Sequence, residues 1–464
     1  MSLSEAAPTA TPPDPSSSDA ATSARRGDAA TPFSLAYVLL WFPLSSETFI
    51  FREIVQLMAL GLPIHVYTMY GKALKGCSQE MRDFPGPVRR MGATAFFRIW
   101  AAFFRALRRE PGKVWRLLRE GCFRRMRNLE SLGENLWCFM AGFLLAEQCR
   151  TDGISLIHSS WANGPATAAW VASRLTGIPF AFTGRAGDIY PQDGLLREKA
   201  RDALFIRTNN QANVGWLQSF CPPRQRDKVR LVYNSLTLPL PAVDSMASRS
   251  GASARKAQRL EQGPVRLLAL GRFDVTKGFD VLLTACGILR DRGLNFSLTL
   301  AGGGGKVMGL GHLGAQLVKM RKDLGLEKQV DMPGLISHNE LPRILDEHDI
   351  FVAPCVVHAS GRRDGIPNTV IEALAYGLPV ISTTVNALPE VVRHQDTGLA
   401  IPPGDSEALA EAVFRLVGHP EEARRMGRNG ALLARDMFDP HTNNLRLAEL
   451  FISWYAHWKK ACAA

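Results

Sequence analysis

Two basic side chains stand in a stretch that is bounded by glycines and follows an apolar run. Residues Gly271–Gly278 read Gly-Arg-Phe-Asp-Val-Thr-Lys-Gly and come directly after Val265–Leu270. Glycines let the backbone turn sharply and approach a ligand closely. Arg272 and Lys277 would then place two cations at the carboxyl edge of a sheet, where they suit a diphosphate. The order is not that of a Walker loop, and a solvated basic turn is the alternative.

A second stretch combines two carboxylates with the start of a helix. It runs from Asp364 to Val380 and reads DGIPNTVIEALAYGLPV. Asn368 is predicted to cap a helix that ends at Gly377, and the free amides of such a helix start form an anion site. Glu372 falls on the second turn of this helix, and Asp364 lies in the loop before it. Two acids at this spacing are common by chance, but the complete succession of loop, cap, helix, glycine and strand is not.

The elements that must position these stretches alternate between short apolar runs and amphipathic helices. The predicted strands of the first half are Phe33–Phe42, Ile64–Thr68, Ser155–His158, Phe180–Thr183, Ala203–Thr208 and Val229–Tyr233. Those of the second half are Val265–Leu270, Phe296–Ala301, Val330–Met332, Ile350–Ala353, Val380–Ser382 and Leu399–Ile401. Two such series predict two doubly wound α/β domains, with ligands at the strand carboxyl ends and in the cleft between the domains.

Composition places the domain boundaries. Residues 1–32 are rich in Ala, Ser, Thr and Pro and are predicted to be a disordered tail. The first domain is predicted over 33–236, a linker over 237–263, the second domain over 264–440 and a C-terminal helix over 441–464. The length of 464 residues suits two domains of this size.

The charge and cysteine content limit the class of protein. Lys and Arg exceed Asp and Glu by 12, which favours anionic partners or surfaces. The eight cysteines are scattered without metal-ligand spacing, as expected of thiols in a reducing compartment. No apolar run reaches the roughly 18 residues of a spanning helix. We therefore expect a cytoplasmic protein.

The stretch from Asp364 to Val380 resembles the family-4 retaining glycosyltransferases of the GT-B fold, whose signature is an acid, seven residues and a Glu before A-x-A-x-G-x-P-V. Gly271–Gly278 is similar to their G-R-x-x-x-x-K-G element. Phe42–Ile50 and Trp161–Thr167 narrow the resemblance to the colanic-acid and exopolysaccharide branch. The resemblance implies two Rossmann-like domains with a C-terminal helix that returns to the first. It also implies transfer of a sugar, with retention, from a nucleoside-diphosphate sugar to a glycan or lipid-linked acceptor.

The resemblance assigns roles in the second domain. Arg272 and Lys277 would neutralise the donor diphosphate, Glu372 would bind the ribose hydroxyls, and Asp364 would bind the hydroxyls of the transferred sugar. The family more often has Glu at the position of Asp364. The donor-binding residues that it implies are Gly271, Gly303, Gly304, Gly365, Ile366, Pro367, Asn368 and Thr369.

Candidates on the acceptor side come from the first domain; they are Ser46, Glu47, His158, Asn163 and Asp188. Ser46 is predicted to cap a helix that carries Glu47 in its first turn. His158 could line the cleft or be a satisfied strand-end histidine, and Asp188 could orient the acceptor or cap the end of a strand. Two departures bear on this side. Gly184–Asp188 replaces the A-H-A-H-D string of the branch, and Asn234–Thr237 replaces an N-G-hydrophobic-D string at the hinge.

A basic, aromatic segment interrupts the first domain over residues 94–150. Residues 95–127 hold ten Lys and Arg against Glu110 and Glu120, interleaved with Phe and Trp. One interpretation is a helical pair whose aromatic stripe packs on the domain and whose arginines are solvated. The other is an amphipathic surface on anionic lipid, which would place the protein peripherally on the inner face of the cytoplasmic membrane. No recognition motif for nucleic acid accompanies the charge.

Neither a cofactor nor a metal is expected. No DxD-like string occurs at a strand end, so Arg272 and Lys277 would supply the positive charge. A dinucleotide-dependent oxidoreductase is the rival enzyme, but it would need GxGxxG on a first turn, and Gly302–Gly305 follows a second strand. A catalytically impaired protein that binds sugar nucleotides is the non-enzymatic rival, which the altered Gly184–Asp188 string keeps open.

Overall fold

The computed structural model describes residues 33–45, 47–72, 77–122, 132–191, 193–236, 238–239, 263–303 and 311–463. The chain forms two compact units. The first unit comprises the residues up to Asn209, Asn213–Val232 and His441–Ala464, and the second comprises Asn210–Ala212 and Tyr233–Pro440. The predicted tail and nearly all of the predicted linker lie outside the described residues.

The first unit is built on a seven-stranded parallel sheet in the order β3-β2-β1-β4-β5-β6-β7. Its strands are β1 Leu35–Leu39, β2 Ile64–Thr68, β3 Val88–Arg90, β4 Leu156–Ser159, β5 Phe180–Gly184, β6 Ile206–Thr208 and β7 Val229–Leu231. Strand β1 is buried along its whole length, as expected of a parallel strand covered on both faces.

The helices of the first unit connect these strands. They are α1 Thr48–Ala59, α2 Gln79–Arg82, α3 Phe96–Arg109, α4 Pro111–Gly121, α5 Leu132–Thr151, α6 Gly164–Thr176, α7 Ala186–Ile189, α8 Leu196–Asp202 and α9 Ala212–Gln218. The segments Ala93–Ala95 and Pro223–Lys228 form 3-10 turns.

The second unit holds a six-stranded parallel sheet in the order β10-β9-β8-β11-β12-β13. Its strands are β8 Val265–Leu270, β9 Phe296–Ala301, β10 Val330–Asp331, β11 Ile350–Ala353, β12 Val380–Thr383 and β13 Gly398–Ile401. Its helices are α10 Phe279–Asp291, α11 Gly311–Asp323, α12 Leu341–Glu347, α13 Asn368–Ala375, α14 Leu388–Val391, α15 Ser406–Gly418 and α16 Pro420–Met437. Because β8 pairs with both β9 and β11, the loops after these strands meet at one edge of the sheet.

The last helix, α17 Pro440–Ala463, packs on the first unit. Phe451 of α17 is fully buried there, with its ring centroid 5.7 Å from that of Phe205 and 6.3 Å from that of Tyr37. The predicted α/β fold with two Rossmann-like sheets and a returning C-terminal helix is therefore confirmed. No described helix has the length and apolarity that crossing a bilayer requires.

Among the strands in the described residues, the one that the sequence did not indicate is β3, Val88–Arg90. It is three residues long, it lies at the edge of the sheet beside β2, and two of its three side chains are arginines. Edge strands are often short and charged because this discourages pairing with other chains. An apolar-run criterion therefore misses it.

Candidate functional site

The loop that follows β8 is held in a defined shape by Asp274. Its carboxylate accepts hydrogen bonds from the backbone amide and the hydroxyl of Thr276, at 3.0 and 3.1 Å, and so caps the 3-10 turn Val275–Lys277. Gly278 ends this turn with φ of 64°, and a Cβ there would lie 2.0 Å from the carbonyl oxygen of Pro354. The loop requires glycine at this position.

The two predicted motifs meet in an ion pair. The Nζ of Lys277 lies 3.1 Å from an Oδ of Asp364, and the two side chains are only 12% and 21% exposed. Burial lowers the pKa of Lys277, but the carboxylate of Asp364 outweighs this effect and the pKa is raised above its ordinary value. Lys277 therefore remains a cation in this partly desolvated position.

A buried thiol lies beside the same carboxylate. The Sγ of Cys355 is 3.8 Å from an Oδ of Asp364. Burial, together with the negative charge of Asp364, raises the pKa of Cys355 to about 12. The thiol is therefore protonated near neutral pH and acts as a weak donor to the carboxylate.

A second ion pair ties the polar loop before Asp364 to the loop after β8. The guanidinium of Arg362 lies 2.5 Å from the carboxylate of Asp274, which is itself buried. Burial raises the pKa of Asp274, but the Thr276 amide, Arg362 and Arg272 lower it, and the net pKa falls below the ordinary value.

Helix α13 begins next to the end of β8. The hydroxyl of Thr369 donates to the carbonyl oxygen of Leu270 at 3.2 Å, so the opening amides of α13 lie near the loop that carries Lys277. Glu372 is buried on this helix. The predicted cap is wrong, because Pro367 is the N-cap and no side chain caps the helix. The side-chain Oδ1 of Asn368 instead accepts a hydrogen bond from the side-chain amide of Asn234 at 3.4 Å.

Three glycines at this sheet edge are closely packed, one of them against backbone and two against side chains. A Cβ on Gly302 would lie 1.8 Å from the carbonyl oxygen of Gly271, and one on Gly303 would lie 3.1 Å from Leu335. On Gly271 it would lie 3.2 Å from the side chain of Lys277. Gly302 thus permits the loops after β8 and β9 to approach each other, and Gly303 permits Leu335, which follows β10, to pack closely. Gly304 lies outside the described residues.

The loop between Asp364 and α13 contains Gly365, Ile366 and Pro367. The side-chain amide of Asn386 donates to the backbone carbonyl oxygen of Asp364 at 2.9 Å, and Ile366 is buried. The loop is therefore fixed on both sides of Gly365.

In the first unit, His158 is fully buried in β4. Its ring lies 4.8 Å from that of Tyr37 and 4.9 Å from that of Phe451, and its Nε2 is 3.2 Å from the Thr183 hydroxyl. Burial lowers the pKa of His158 to about 3, so the ring is neutral. Of the two alternatives for His158, the structure favours a buried strand-end histidine, because Phe451 of α17 packs against the ring.

The carboxylate of Asp188 is buried and binds backbone amides. Its two carboxylate oxygens accept from the amides of Ala162, at 2.5 Å, and Arg185, at 2.7 Å. Burial raises the pKa of Asp188 to about 7, although these hydrogen bonds oppose the shift. The structure therefore favours a structural cap for this residue over a direct contact with an acceptor.

Asn163 ends the loop that follows β4. Its side-chain amide is 3.4 Å from the carboxylate of Glu134, and its carbonyl oxygen accepts from the ammonium of Lys199 at 3.1 Å. Lys199 is fully buried; it also donates to the Ala162 carbonyl at 2.7 Å and pairs with Asp193. Lys199 and Asp188 thus fix this loop from two sides.

The prediction for the start of α1 needs one correction. Glu47 is itself the N-cap residue, without a side-chain capping hydrogen bond, and the first turn contains no acid. Ser46 lies outside the described residues.

Sequence reasoning missed several residues of both sites. Asp274 and Thr276 stand within the basic stretch, where an Asp two residues before a Thr could have indicated a capped turn. Lys199 and Asn386 gave no comparable signal, because their partners come from distant parts of the chain. Among the described residues, no group of three or more His, Cys, Asp or Glu side chains could hold a metal.

The family model for glycosyl transferases group 1 matches residues 252–432. That range contains both motifs and the whole cluster around Lys277 and Asp364.

Two similar proteins align with this chain over different lengths. The putative colanic acid biosynthesis glycosyltransferase WcaL of Escherichia coli (strain K12) is 26% identical over 438 residues, which cover 90% of this chain and 98% of that protein. The amylovoran biosynthesis glycosyltransferase AmsK of Erwinia amylovora is 39% identical over 153 residues, which cover 33% of this chain and only 36% of AmsK.

A solved structure with a similar fold is that of Anabaena Alr3699/HepE in complex with UDP-glucose. It superposes with a TM-score of 0.65 at 15% identity and covers 90% of this chain and 99% of that chain. At this identity the likeness concerns the fold alone.

Proposed function

Because this chain is a glycosyltransferase of the GT-B fold whose second unit carries a group 1 domain, we propose that it transfers a hexosyl group, with retention, from a nucleoside-diphosphate sugar to a glycan or lipid-linked saccharide. The names of the relatives with which it aligns support a role in the synthesis of an exopolysaccharide or another cell-surface polysaccharide.

One observation carries the proposal. The ammonium of Lys277 and the carboxylate of Asp364 are 3.1 Å apart at the edge where β8 and β11 end, and the opening amides of α13 lie beside them. Arg272 is close enough to influence the pKa values of both Asp274 and Lys277. Cations and helix-start amides at one place are what a diphosphate requires.

These groups would act on the leaving group. When the bond between the anomeric carbon and the diphosphate oxygen breaks, negative charge grows on the diphosphate, and Lys277, Arg272 and the α13 amides would stabilise it. The acceptor oxygen then bonds to the anomeric carbon, and its proton passes to a donor phosphate oxygen. Reaction on one face of the sugar gives retention. We propose that Arg272 and Lys277 provide this charge without a metal ion.

The remaining contacts would position the two parts of the donor. Glu372 would accept hydrogen bonds from the ribose hydroxyls, and Asp364 would accept them from the transferred sugar. Asp364 now neutralises Lys277, so donor binding would place a phosphate where it competes for the same ammonium. This competition would weaken the ion pair, so that the carboxylate of Asp364 could turn toward the sugar.

The acceptor would contact the first unit near Glu47 and Asn163, with Lys199 and Asp188 holding the loop Trp161–Asn163. We propose a cytoplasmic location at the inner face of the cytoplasmic membrane, where a lipid-linked saccharide would be presented. The ten Lys and Arg of residues 95–127 support an anionic partner of this kind.

A donor panel tests the proposal. The full chain is heated with UDP-, GDP-, ADP- and dTDP-sugars in turn, because a ligand that binds only the folded state raises the melting temperature. The stabilising donor is then incubated with the chain and a lipid extract, and sugar transfer is followed with radiolabelled donor. Stabilisation with transfer supports the proposal. Stabilisation without transfer or donor hydrolysis would indicate a binding protein, and stabilisation by no donor would refute the proposed site.

A further inference from the structure

Helix α3 exposes a continuous group of aromatic rings. Phe97 is 83% exposed, Phe104 is 55% exposed and Trp100 is 40% exposed. The centroids of Trp100 and Phe104 are 6.1 Å apart, and Phe96 is 6.3 Å from Trp100. Exposed clusters of large apolar side chains are uncommon on soluble proteins and mark interaction sites. The aromatic stripe therefore does not pack wholly on its own domain.

The opposite face of α3 packs against the first unit. Ile99 and Ala102 are buried, and Phe103 packs with its ring centroid 5.1 Å from that of Phe143 on α5. Phe97 and Phe104 are seven residues, or about two helical turns, apart and so share the outward face. The helix is thus anchored by one side and leaves its aromatic side uncovered.

Helix α4, which follows α3 after a single residue, exposes a further aromatic ring. Trp115 is 65% exposed, whereas Val114 and Leu117 are buried. We call the outward residues Phe96, Phe97, Trp100, Phe104 and Trp115, with the arginines that flank them, the aromatic–basic face.

The flanking arginines are available for a partner. Arg105 binds Glu147 with two hydrogen bonds, of 2.7 and 2.8 Å, and Lys113 pairs with Glu110. Within the described part of the chain no ion pair engages the other basic side chains of α3 and α4, which are Arg98, Arg108, Arg109, Arg116 and Arg119. A second copy of this chain would bring the same positive charge to the face, so self-association is disfavoured and an anionic partner is favoured.

We propose that the aromatic–basic face binds the surface of an anionic lipid bilayer, with the Phe and Trp rings in the headgroup region and the arginines on lipid phosphates. Amphipathic helices with aromatic residues on one side and Arg on the other bind membranes in this way. Both the burial of the aromatic rings and the attraction of Arg to anionic lipid contribute to the binding free energy. The inference rests on the proposed membrane location and not on the transfer reaction, so a vesicle assay without donor can fail while sugar transfer stands.

The test is flotation of the full chain with vesicles of phosphatidylcholine that contain about one third phosphatidylglycerol, compared with pure phosphatidylcholine. We expect flotation only with the anionic vesicles and less of it in high salt. Phe97→Ser with Phe104→Ser should weaken partitioning at least about tenfold, because two large apolar side chains no longer enter the interface. Arg108→Gln with Arg116→Gln should weaken it by roughly fivefold for each arginine.

Matched controls lie on the second unit. Leu432 of α16 is 68% exposed, so Leu432→Ser removes a comparable exposed apolar side chain. Lys322→Gln with Arg428→Gln removes the same charge from exposed positions. These variants should float like the wild type, and all variants should retain its melting temperature.

Three results would overturn the inference. They are the absence of flotation with anionic vesicles, equal losses in the face and control variants, and a dimer that forms in solution and dissociates when Phe97 is changed. The last result would assign the face to a second copy of the chain.

Discussion

The ammonium of Lys277 lies 3.1 Å from the carboxylate of Asp364, and this pair joins the loop after β8 to the loop after β11. The two strands are neighbours in a parallel sheet, so their carboxyl ends place both loops at one edge. Each residue is mostly shielded from water, where charges interact more strongly than on an open surface. A donor diphosphate that enters here would meet a cation already desolvated and oriented.

Replacement of Lys277 by alanine should reduce turnover by about 100- to 1,000-fold, which corresponds to about 2.7–4 kcal/mol of lost charge stabilisation. Steady-state transfer assays with the stabilising donor would measure it. Lys322→Ala, which removes an exposed lysine of α11, should leave turnover unchanged. Wild-type turnover in Lys277→Ala would exclude Lys277 from the diphosphate site.

Glu372→Gln should weaken binding of the nucleoside diphosphate by about 10- to 100-fold, because hydrogen bonds to a charged group contribute roughly 1.5–3 kcal/mol. Inorganic pyrophosphate has no ribose, so it should stabilise the variant and the wild type alike. Melting temperatures with each ligand separate the two effects. Equal losses for both ligands would show that Glu372 supports the fold of α13 and does not bind ribose.

Gly278→Ala should destabilise the second unit and abolish its response to donor. The backbone has φ of 64°, and a Cβ would lie 2.0 Å from the carbonyl oxygen of Pro354, so the loop that carries Lys277 must move. Gly287 lies inside α10, and a Cβ there would meet no described atom within 4 Å beyond its own helix backbone. Gly287→Ala should therefore be neutral or stabilise by about 0.5–1 kcal/mol. Thermal unfolding of the two variants, with and without donor, checks the contrast, which equal melting temperatures would contradict.

Much of this site follows from local sequence patterns. Strands β2, β8, β9 and β11 have the bounds that their mostly apolar runs predicted, as expected of parallel strands that are covered on both faces. A loop after β8 and a helix start after β11 must share the sheet edge once the strands are parallel. The sequence therefore predicts that the segments carrying Lys277 and Asp364 lie close together. It does not indicate which of their side chains are in contact.

In the first unit, a buried cluster of polar side chains could not be predicted from local sequence patterns. The hydroxyl of Tyr37 donates to Glu53 at 2.7 Å, and Glu53 pairs with the buried guanidinium of Arg207. Burial raises the pKa of Glu53, but Arg207 and Arg185 outweigh it and the pKa is lowered. These residues come from separate elements, so only the assembled sheet reveals that a glutamate on α1 is buried. The same reason explains His158, which is covered by a helix that begins far along the chain, at Pro440.

The raised pKa of Asp188 predicts how the stability of the folded chain depends on pH. Burial raises its pKa to about 7 in the folded chain, whereas an unfolded aspartate titrates near about 3.9. The folded state thus binds this proton more tightly than the unfolded state does. The resulting stabilisation is complete below about pH 4 and is lost as the pH rises through about 7.

Asp188→Asn should therefore flatten this dependence, because an uncharged side chain is present at every pH. Between about pH 5 and 8 the melting temperature of the wild type should fall relative to that of the variant. Because the comparison is a difference between two proteins, contributions from other groups, such as the depressed pKa of His158, cancel. Asp83→Asn, at an exposed aspartate of the same unit, should run parallel to the wild type. If the Asp188→Asn curve is also parallel, the Asp188 carboxylate is ionised throughout this range, and its two backbone hydrogen bonds outweigh its burial.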